Sequence, residues 1–400
     1  MILTMNEKNR IEAVQGVMDG KIGINEAGKV LDRSVRQVFR MLKSLREEGL
    51  EGLIHKNKGK KSSRKIKKAI RKRIVELARG KFSDINDTHL KEILLREEKI
   101  KIGRETLRTI LRGENISPKL KRRSVKHRSR RERKEAFGVM LQIDGSPHDW
   151  LEGRGPRLTL IGAKDDATSF VWARFEEAET TWGYLSLMRD IFTSKGLPLS
   201  LYSDRHTIFH SPKEPTIVEQ INNIRPMTQF GRAMKELGIT IIKAWSAPAK
   251  GRIENQWKTF QDRLVVELRL AGVKSREGAN QFLEQFLKDY NQRFCVVAKK
   301  REPVFRQSPS PSNLDRVLCL KETRTVAKDH TISFEGLVLQ IPPSRKFYSI
   351  ARQKVQVLQL KDGSVEVVYK EQLVARFCPE AVRRLVEKNY NEKHQPNIAA

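Results

Sequence analysis

Cysteine is scarce in this sequence, and long apolar runs are missing. Three cysteines occur in 400 residues, Cys295, Cys319 and Cys378, far apart and without a C-x-x-C pair. Neither a disulfide framework nor a zinc site is indicated. No window holds 18 or more apolar residues, so no membrane-spanning helix is expected. The opening "MILTMNEKNR" is too short and polar a run for a signal peptide, which points to a soluble, reducing compartment, the cytoplasm in a bacterium. Negative charge is the third shortage. Against 79 Lys and Arg stand 48 Asp and Glu, a net +31 with a pI near 10.2. So much like charge repels itself unless a polyanion is at hand. Nucleic acid is the expected partner, with an anionic membrane surface second; the want of an apolar span weakens the second.

What is present suffices for globular folding: 38% of residues are apolar. Four hundred residues exceed what one core organises, so two to four domains are expected. The first 55 residues read as helices. Ile11, Val14, Val17 and Met18 fall at helical spacing, Gly20 and Gly23 break the pattern, and Ile24, Ala27, Val30 and Leu31 resume it. Ser34 is a plausible N-cap for a third helix bearing Val35, Val38, Met41, Leu42 and Leu45. That helix, short turn, helix arrangement exposes Arg33, Arg36, Gln37, Arg40 and Lys43, as a major-groove reader would; a small three-helix bundle with a basic face is the plainer alternative. After the Lys-rich "HKNKGKKSSRKIKK" a similar unit follows: helices over 66–77 and 88–95, then "KIGRETLRTILR" with Ile102, Thr106, Leu107, Ile110 and Leu111 inward. Arg104 and Arg108 on that last helix are its DNA-facing candidates.

Between Ser117 and Glu135 ten Lys/Arg stand against two Glu. Such a run is commonly just solvated; here it is expected to track phosphates, through Lys121, Arg122 and Arg123 among others. From Phe137 the pattern turns α/β. "FGVMLQID" reads as a strand, "RLTLIGAKDDATSFVWARFEE" as a hairpin around Asp165 and Asp166, and 180–193 as an amphipathic helix. "LPLSLYSD" is another strand, followed by a loop to Pro226, a helix over 227–237, the strand "ITIIKAWS" and a long helix over 251–269. A helix over 277–290 and the linker "REPVFRQSPSPSN" close the region. The segments "HTISFEGLVLQIP", "KVQVLQLKDGSVEVVYK" and "QLVARF" alternate with period two around a hairpin turn at Lys361-Asp362-Gly363-Ser364, and predict a small β-barrel.

Three acids stand out in the α/β region. Asp144 ends the strand of "LQIDGSPHDW", Asp204 ends the strand of "LYSDRHTIF", and Glu254 opens a helix in "APAKGRIENQWKTFQDRL". Pairing of those strands would draw the acids together, and like carboxylates converge only against a counter-charge. Hard divalent cations with oxygen ligands supply it, Mg²⁺ especially, since it keeps part of its shell for water and phosphate. Together with "LIGAKDDATSFVWA", these segments in this order resemble the catalytic core of DDE transposases of the retroviral-integrase superfamily. The "QIDGSPHDW" wording and the helical front end resemble the ISNCY-type insertion-sequence transposases. The resemblance covers nearly the whole chain.

It implies a multidomain protein: helix-turn-helix modules, an α/β RNase H-like catalytic core and a small C-terminal β-barrel. The expected divisions are a DNA-binding unit over 1–55, a second over 56–115, a basic linker over 116–136, the core over 137–300, a linker over 301–321, the barrel over 322–378 and a tail over 379–400. Asp144, Asp204 and Glu254 would hold two Mg²⁺, with Mn²⁺ able to substitute, and water or a DNA 3′-hydroxyl would attack a phosphodiester in line. The partners implied are double-stranded DNA, as terminal inverted repeats and as target, and a second copy of the chain in a dimer or larger assembly on DNA. The loop "RHTIFHSPKEPTIVEQINNIRP" departs from the family's short turn after the second acid, and no zinc-binding module precedes the core.

Other residues carry plainer readings. Asp165 and Asp166, with Thr168 and Ser169, read as turn formers, and "SPHDW" as a turn that seats Trp150 on the core. His148 and Asp149 follow Asp144 closely enough to be weighed beside it. Asn255 reads as a helix-start residue. Lys250 and Arg252 are expected to meet phosphate, and Lys258 to share Glu254's face one turn on. Trp172, Trp182 and Trp245 read as core. Two rival functions remain: a DNA-binding regulator whose RNase H-like domain is inactive, and a metal-dependent nuclease without strand transfer.

Overall fold

The computed structural model describes residues 4–55, 58, 66–119, 132–221, 225–244, 251–343 and 347–382. They divide into two compact units: 1–81 with 98–116, and 82–97 with 117–400. No described helix is long and apolar enough to cross a membrane.

The first unit begins with α1 (Met5–Met18), α2 (Ile24–Leu31) and α3 (Val35–Glu48). Ile11, Val14, Ala27, Val38, Leu42 and Leu45 make its core. Met18, Val30 and Val35 share the helical spacing yet stay exposed, because three short helices cover one stripe of each other and no more. Asp32 ends α2 at φ 50°, turning the chain sharply, and Ser34 then caps α3 through a reciprocal pair with Gln37. The same unit holds α4 (Lys68–Arg79) and a later helix, α6 (Arg104–Gly113). Arg71 and Arg79 both pair with Glu114. Ile102, Leu107, Ile110 and Leu111 are buried as expected, whereas Thr106 is exposed.

Between them in sequence, α5 (Asp87–Glu97) belongs to the second unit. That unit is built on a five-stranded mixed sheet. β1 (Met140–His148), β2 (Leu158–Asp165) and β3 (Val171–Glu176) are antiparallel neighbours. β4 (Ser200–Ser203) joins β1 in parallel and β5 (Thr240–Lys243) joins β4 in parallel, for an order β3-β2-β1-β4-β5. The two parallel crossovers run through α7 (Thr181–Ser194) and, after a short α8 (Ile217–Ile221), through α9 (Gln229–Glu236).

Alternation along the strands sorts their side chains to two faces. Leu141, Ile143, Ile161 and Ala163 join α7 and α9 in one core. Leu158, Leu160, Val171 and Phe175 join α10 (Gly251–Leu270) and α11 (Arg276–Phe294) in the other. α5 holds α10 by polar side-chain pairs: Glu92 with Arg263 at 2.9 Å, and Glu267 with both His89 at 2.7 Å and Arg96 at 2.8 Å. Asp84, just before α5, meets Arg269 at 2.8 Å.

The C-terminal part differs from the expected barrel. After α12 (Pro311–Val317) come β6 (Leu320–Thr325), β7 (Thr331–Phe334), β8 (Leu337–Gln340), β9 (Lys354–Gln359), β10 (Val365–Tyr369) and β11 (Gln372–Phe377). They form an open sheet, β11-β10-β9-β6, and a separate ribbon, β7-β8. Among the described residues β7 and β8 pair with each other alone, so no ladder bridges the edges of the sheet into a ring. The expected hairpin stands: β9 and β10 turn at Asp362 and Gly363, whose φ is 85°.

Phe260, fully buried on α10 among Trp257, Phe286 and Tyr290, tests this packing. Phe260→Ala should cost about 3–5 kcal/mol of unfolding free energy, read from urea titration of the full chain; a loss below about 1 kcal/mol would mean that α10 is not seated as described.

Candidate active site

β1 carries a polar row on one face. Gln142, Asp144 and Ser146 alternate onto the face that α10 covers, and each meets a partner there. Gln142 donates to the buried Asp166 at 2.8 Å, and Asp166 also takes the Arg252 guanidinium from the first turn of α10. Trp257 Nε1 donates to Asp144 Oδ2 at 3.0 Å. Gln261 donates to the Ser146 hydroxyl at 3.0 Å. The helix therefore lies along the strand on three polar rungs.

Gly162 explains how the indole reaches Asp144. It is the residue opposite Asp144 in the β1–β2 ladder, and a Cβ there would come 2.5 Å from the Trp257 ring and 2.8 Å from the Trp172 carbonyl. Glycine leaves the floor on which the ring lies.

Asp204 arrives from the other side. In the parallel β1–β4 ladder Gln142 faces Tyr202, so the same register continued by two residues sets Asp144 beside Asp204. The strand lengths differ from expectation: Asp144 does not end β1, which runs on to His148 along β2. β4 stops at Ser203, so Asp144 lies just past the β1–β4 ladder, where the sheet narrows. Asp204 accepts the His206 N–H at 3.0 Å, and Ser203 Oγ meets His210 Nε2 at 3.2 Å, so the loop after Asp204 is tied back to the strand.

Glu254 sits half-buried in the first turn of α10, one turn before Trp257. Among the described residues, no three His, Cys, Asp or Glu side chains are close enough together to hold a metal ion. The fold thus aligns Asp144 with Asp204 and brings the helix carrying Glu254 onto Asp144, without gathering the three carboxylates to ligand distance.

A fourth acid lies here that the sequence did not flag. Glu179 accepts the Tyr184 hydroxyl at 2.6 Å, and its carboxylate packs on Gly145, where a Cβ would come within 2.8 Å. Burial holds the Tyr184 hydroxyl far above its ordinary pKa, and the charges of Glu179, Asp144 and Asp204 add to the rise. That phenol senses the negative potential of the whole patch. A half-buried lysine stands nearby: Lys164 bonds the Gln256 side chain at 3.0 Å and the Arg252 carbonyl at 3.3 Å, steadying the start of α10. Burial, with Arg133 and Arg252 adding to it, lowers Lys164 to about 8.

Asp165 and Asp166 lie at the opposite end of the β1–β2 ladder from His148, and both are buried. Asp165 takes the Thr168 amide at 2.7 Å, its hydroxyl at 2.8 Å and the Gly138 amide at 3.0 Å; Asp166 takes the Lys134 amide, Gln142 and Arg252. Both are turn and anchor residues. Trp150 is buried and donates to the Ser146 carbonyl, with His148 edge-on to it and Asp149 capping the Gly153 amide. Trp172 and Trp182 pack partly buried against the core.

The expected DNA contacts fall out unevenly. Arg33, Arg36 and Arg40 are exposed along the start of α3, and Gln37 spends its amide oxygen on the Ser34 amide in the cap. Arg104 and Arg108 are exposed on α6, the latter 3.4 Å from Glu105. Lys258 is exposed one turn after Glu254, as is Asn255 beside it. Arg252 is engaged inside the protein by Asp166. Lys121, Arg122, Arg123 and Lys250, with Trp245, lie outside the described residues. Sequence reasoning passed over Trp257, Glu179 and Tyr184. The signal for Trp257 was available: it sits three residues after Glu254, and a lone glycine interrupts the apolar strand opposite.

No protein-family model matches the chain. It is 33% identical over 373 residues to "Putative transposase y4bF" of Sinorhizobium fredii, a match covering 92% of this chain and 80% of that protein. It is 29% identical over 403 residues to "Transposase for insertion sequence IS1202" of Streptococcus pneumoniae, covering 90% of this chain and 84% of that one. Among solved structures, the simian T-cell lymphotropic virus intasome in complex with a PP2A regulatory subunit matches at 14% identity, across 76% of this chain and 99% of that one, with a TM-score of 0.35. The chain belongs to the transposase family.

The Trp257–Gly162 fit can be tested without any assay of function. Trp257→Phe should cost about 1.5–3 kcal/mol, the worth of a hydrogen bond to a charged group. Gly162→Val should cost about 1–3 kcal/mol by overpacking. In a Trp257→Ala background the valine should be distinctly cheaper; additivity to within about 0.5 kcal/mol in urea unfolding would show that the ring does not lie over Gly162.

Proposed function

We propose that this transposase cleaves DNA at the 3′ ends of its insertion sequence and joins those ends to target DNA, with Asp144, Asp204 and Glu254 as its catalytic carboxylates. The observation that carries the reading is the shared β1–β4 register, which aligns Asp144 with Asp204, on a strand fastened by Trp257 to the helix of Glu254. The order β3-β2-β1-β4-β5, with β4 and β5 parallel to β1, supports assigning the core to the RNase H-like class.

The residues suit divalent metal in donor chemistry and charge. Carboxylate oxygens are hard ligands, and the potential felt by Tyr184 is one that cations relieve. Asp144, Asp204 and Glu254 would hold two Mg²⁺, or Mn²⁺ in their place; bound there, the ions supply Lewis-acid compensation for a phosphodiester and its attacking hydroxyl. The protein's own residues prepare that site. Trp257 fixes the rotamer of Asp144, Lys164 and Gln256 fix the first turns of α10, and Lys258 offers phosphate a cation beside Glu254. Arg252 would reach phosphate only by leaving Asp166.

DNA recognition is assigned to the first unit. α2 and α3 suit a helix-turn-helix in which Arg33, Arg36 and Arg40 face the groove and phosphates, with Gln37 partly committed to the cap. Arg104 and Arg108 extend the contact, and Lys121, Arg122 and Arg123 add cations for phosphate. The partners are then the terminal inverted repeats, the target duplex and at least a second copy of the chain, in a bacterial cytoplasm where the nucleoid is within reach.

Cleavage and joining of DNA carrying the element's own ends, with Mg²⁺ or Mn²⁺, tests this. Asp144→Asn, Asp204→Asn and Glu254→Gln should each lower the rate on the order of 10³-fold, several kcal/mol of lost transition-state stabilisation, with end binding retained. A variant that cuts at the native rate removes that acid from the set. A native protein that binds ends but never cuts is a regulator, and one that cuts without joining is a nuclease.

A further inference from the structure

We propose that the insertion after Asp204 builds a receptor for one extrahelical nucleotide of the DNA strand entering the active site; the inference rests on the strand-cutting reading above. Between this insertion, the start of α9 and β5 lies a cavity of about 650 Å³, within the roughly 300–1,000 Å³ typical of small-ligand sites. Pro212, Met227 and Ile241 give it apolar walls, and Lys213, Arg225 and Lys243 give it cations, against the single carboxylate of Glu214. Apolar faces beside cations match a base joined to its phosphate.

Its position follows from the fold. Ser203 pairs with Lys243 across the β4–β5 ladder, and Asp204 is the next residue. One lining residue, Lys243, is thus the ladder partner of the residue that precedes the second acid. The cavity is also held in shape: Phe209 is buried edge-on to Tyr184 at 4.8 Å and to Phe230 at 5.2 Å, and the Ser203–His210 contact closes the loop onto β4. Tyr184 thus touches both the acid patch and the wall of the cavity.

A second feature of the same insertion points to the same ligand. Ile217 and Ile221 stand one turn apart on α8, each 76% exposed. Apolar side chains presented beside a cluster of cations are the equipment with which proteins unstack a base step. A base displaced by them has a pocket to enter, and unpairing frees the strand to bend toward Asp204.

The test uses the full chain on duplexes carrying the element's ends, with 2-aminopurine at successive positions around the cut and EDTA to prevent cleavage. The expected result is a fluorescence rise at one position on binding. Arg225→Glu with Lys243→Glu, and separately Ile217→Ser with Ile221→Ser, should abolish that rise while complexes still form at low salt. These residues are exposed, so an unchanged melting temperature certifies the fold. A bound duplex with no rise at any position, or a rise indifferent to both double variants, overturns the proposal. If the native protein then cuts normally with Mg²⁺, the nucleotide receptor alone has failed. If it neither binds nor cuts, the strand-cutting reading fails with it.

Discussion

The seating of α10 along β1 is the constraint on which the rest of the second unit depends. An α-helix can lie over a strand on apolar contacts alone, and it would then be free to slide or roll by a residue. Here three polar rungs fix it: Arg252 through Asp166 to Gln142, Trp257 to Asp144, and Gln261 to Ser146. Their spacing on the strand is two residues, so a slip of α10 along β1 would break all three rungs together. Each rung is modest in net energy, about 1 kcal/mol for a neutral bond and more where a carboxylate accepts. What they set is register. Glu254 is thereby committed to a fixed distance along the helix from the residue that grips Asp144.

The elements around α10 reinforce the same placement from its other side. α5, though it falls between two helices of the first unit in sequence, packs with the second and holds α10 through Glu92, His89 and Arg96. Such half-buried pairs give less stability than their number suggests, since desolvation opposes the attraction. They are directional, however, and a helix that carries a reactive carboxylate at one end gains from being oriented along its length. The N-terminal end of α10 gets the same treatment from Lys164, which holds both a first-turn carbonyl and the side chain of Gln256. Burial has lowered that lysine to about 8, so its hold depends on hydrogen bonds as well as charge.

Much of this was legible in the sequence, and the limits have physical causes. Strand alternation and helix periodicity are local, so the elements of the sheet, α10 and the 361–364 hairpin could be placed from spacing. The acids at 144, 204 and 254 could be singled out because each was expected to end or open an element, although Asp144 lies within β1 and not at its end. Pairing is not local. Nothing in "LIGAKDD" says that Gly162 will lie opposite Asp144, or that an indole from residue 257 will occupy the space it leaves. Arg252 shows the same limit from the other direction: a basic residue beside an acid reads as a phosphate contact, and the fold hands it the buried Asp166 in its place. The barrel expectation failed on closure, since alternation reports that strands have two faces and not whether the first will meet the last.

The charge of the chain can now be divided by place. The net is +31, yet Asp144, Asp204 and Glu179 gather where their charge adds to burial in raising the Tyr184 hydroxyl. A polyanion would be repelled from such a patch if the surroundings were neutral. Cations distributed elsewhere change that balance, because a long duplex is attracted over its length while only a few phosphates approach the acids. Arg33 just before α3, Arg36 and Arg40 on α3, and Arg104 and Arg108 on α6 are exposed for such a role, and Lys213, Arg225 and Lys243 line the cavity beside β5. Under the proposed function, that distribution separates two tasks that conflict at one site. Binding energy is collected by residues outside the carboxylate set, and the chemistry is left to the acids themselves. The pairing of Arg252 with the buried Asp166 fits the same logic: the arginine nearest Glu254 in sequence is engaged by an acid outside the set.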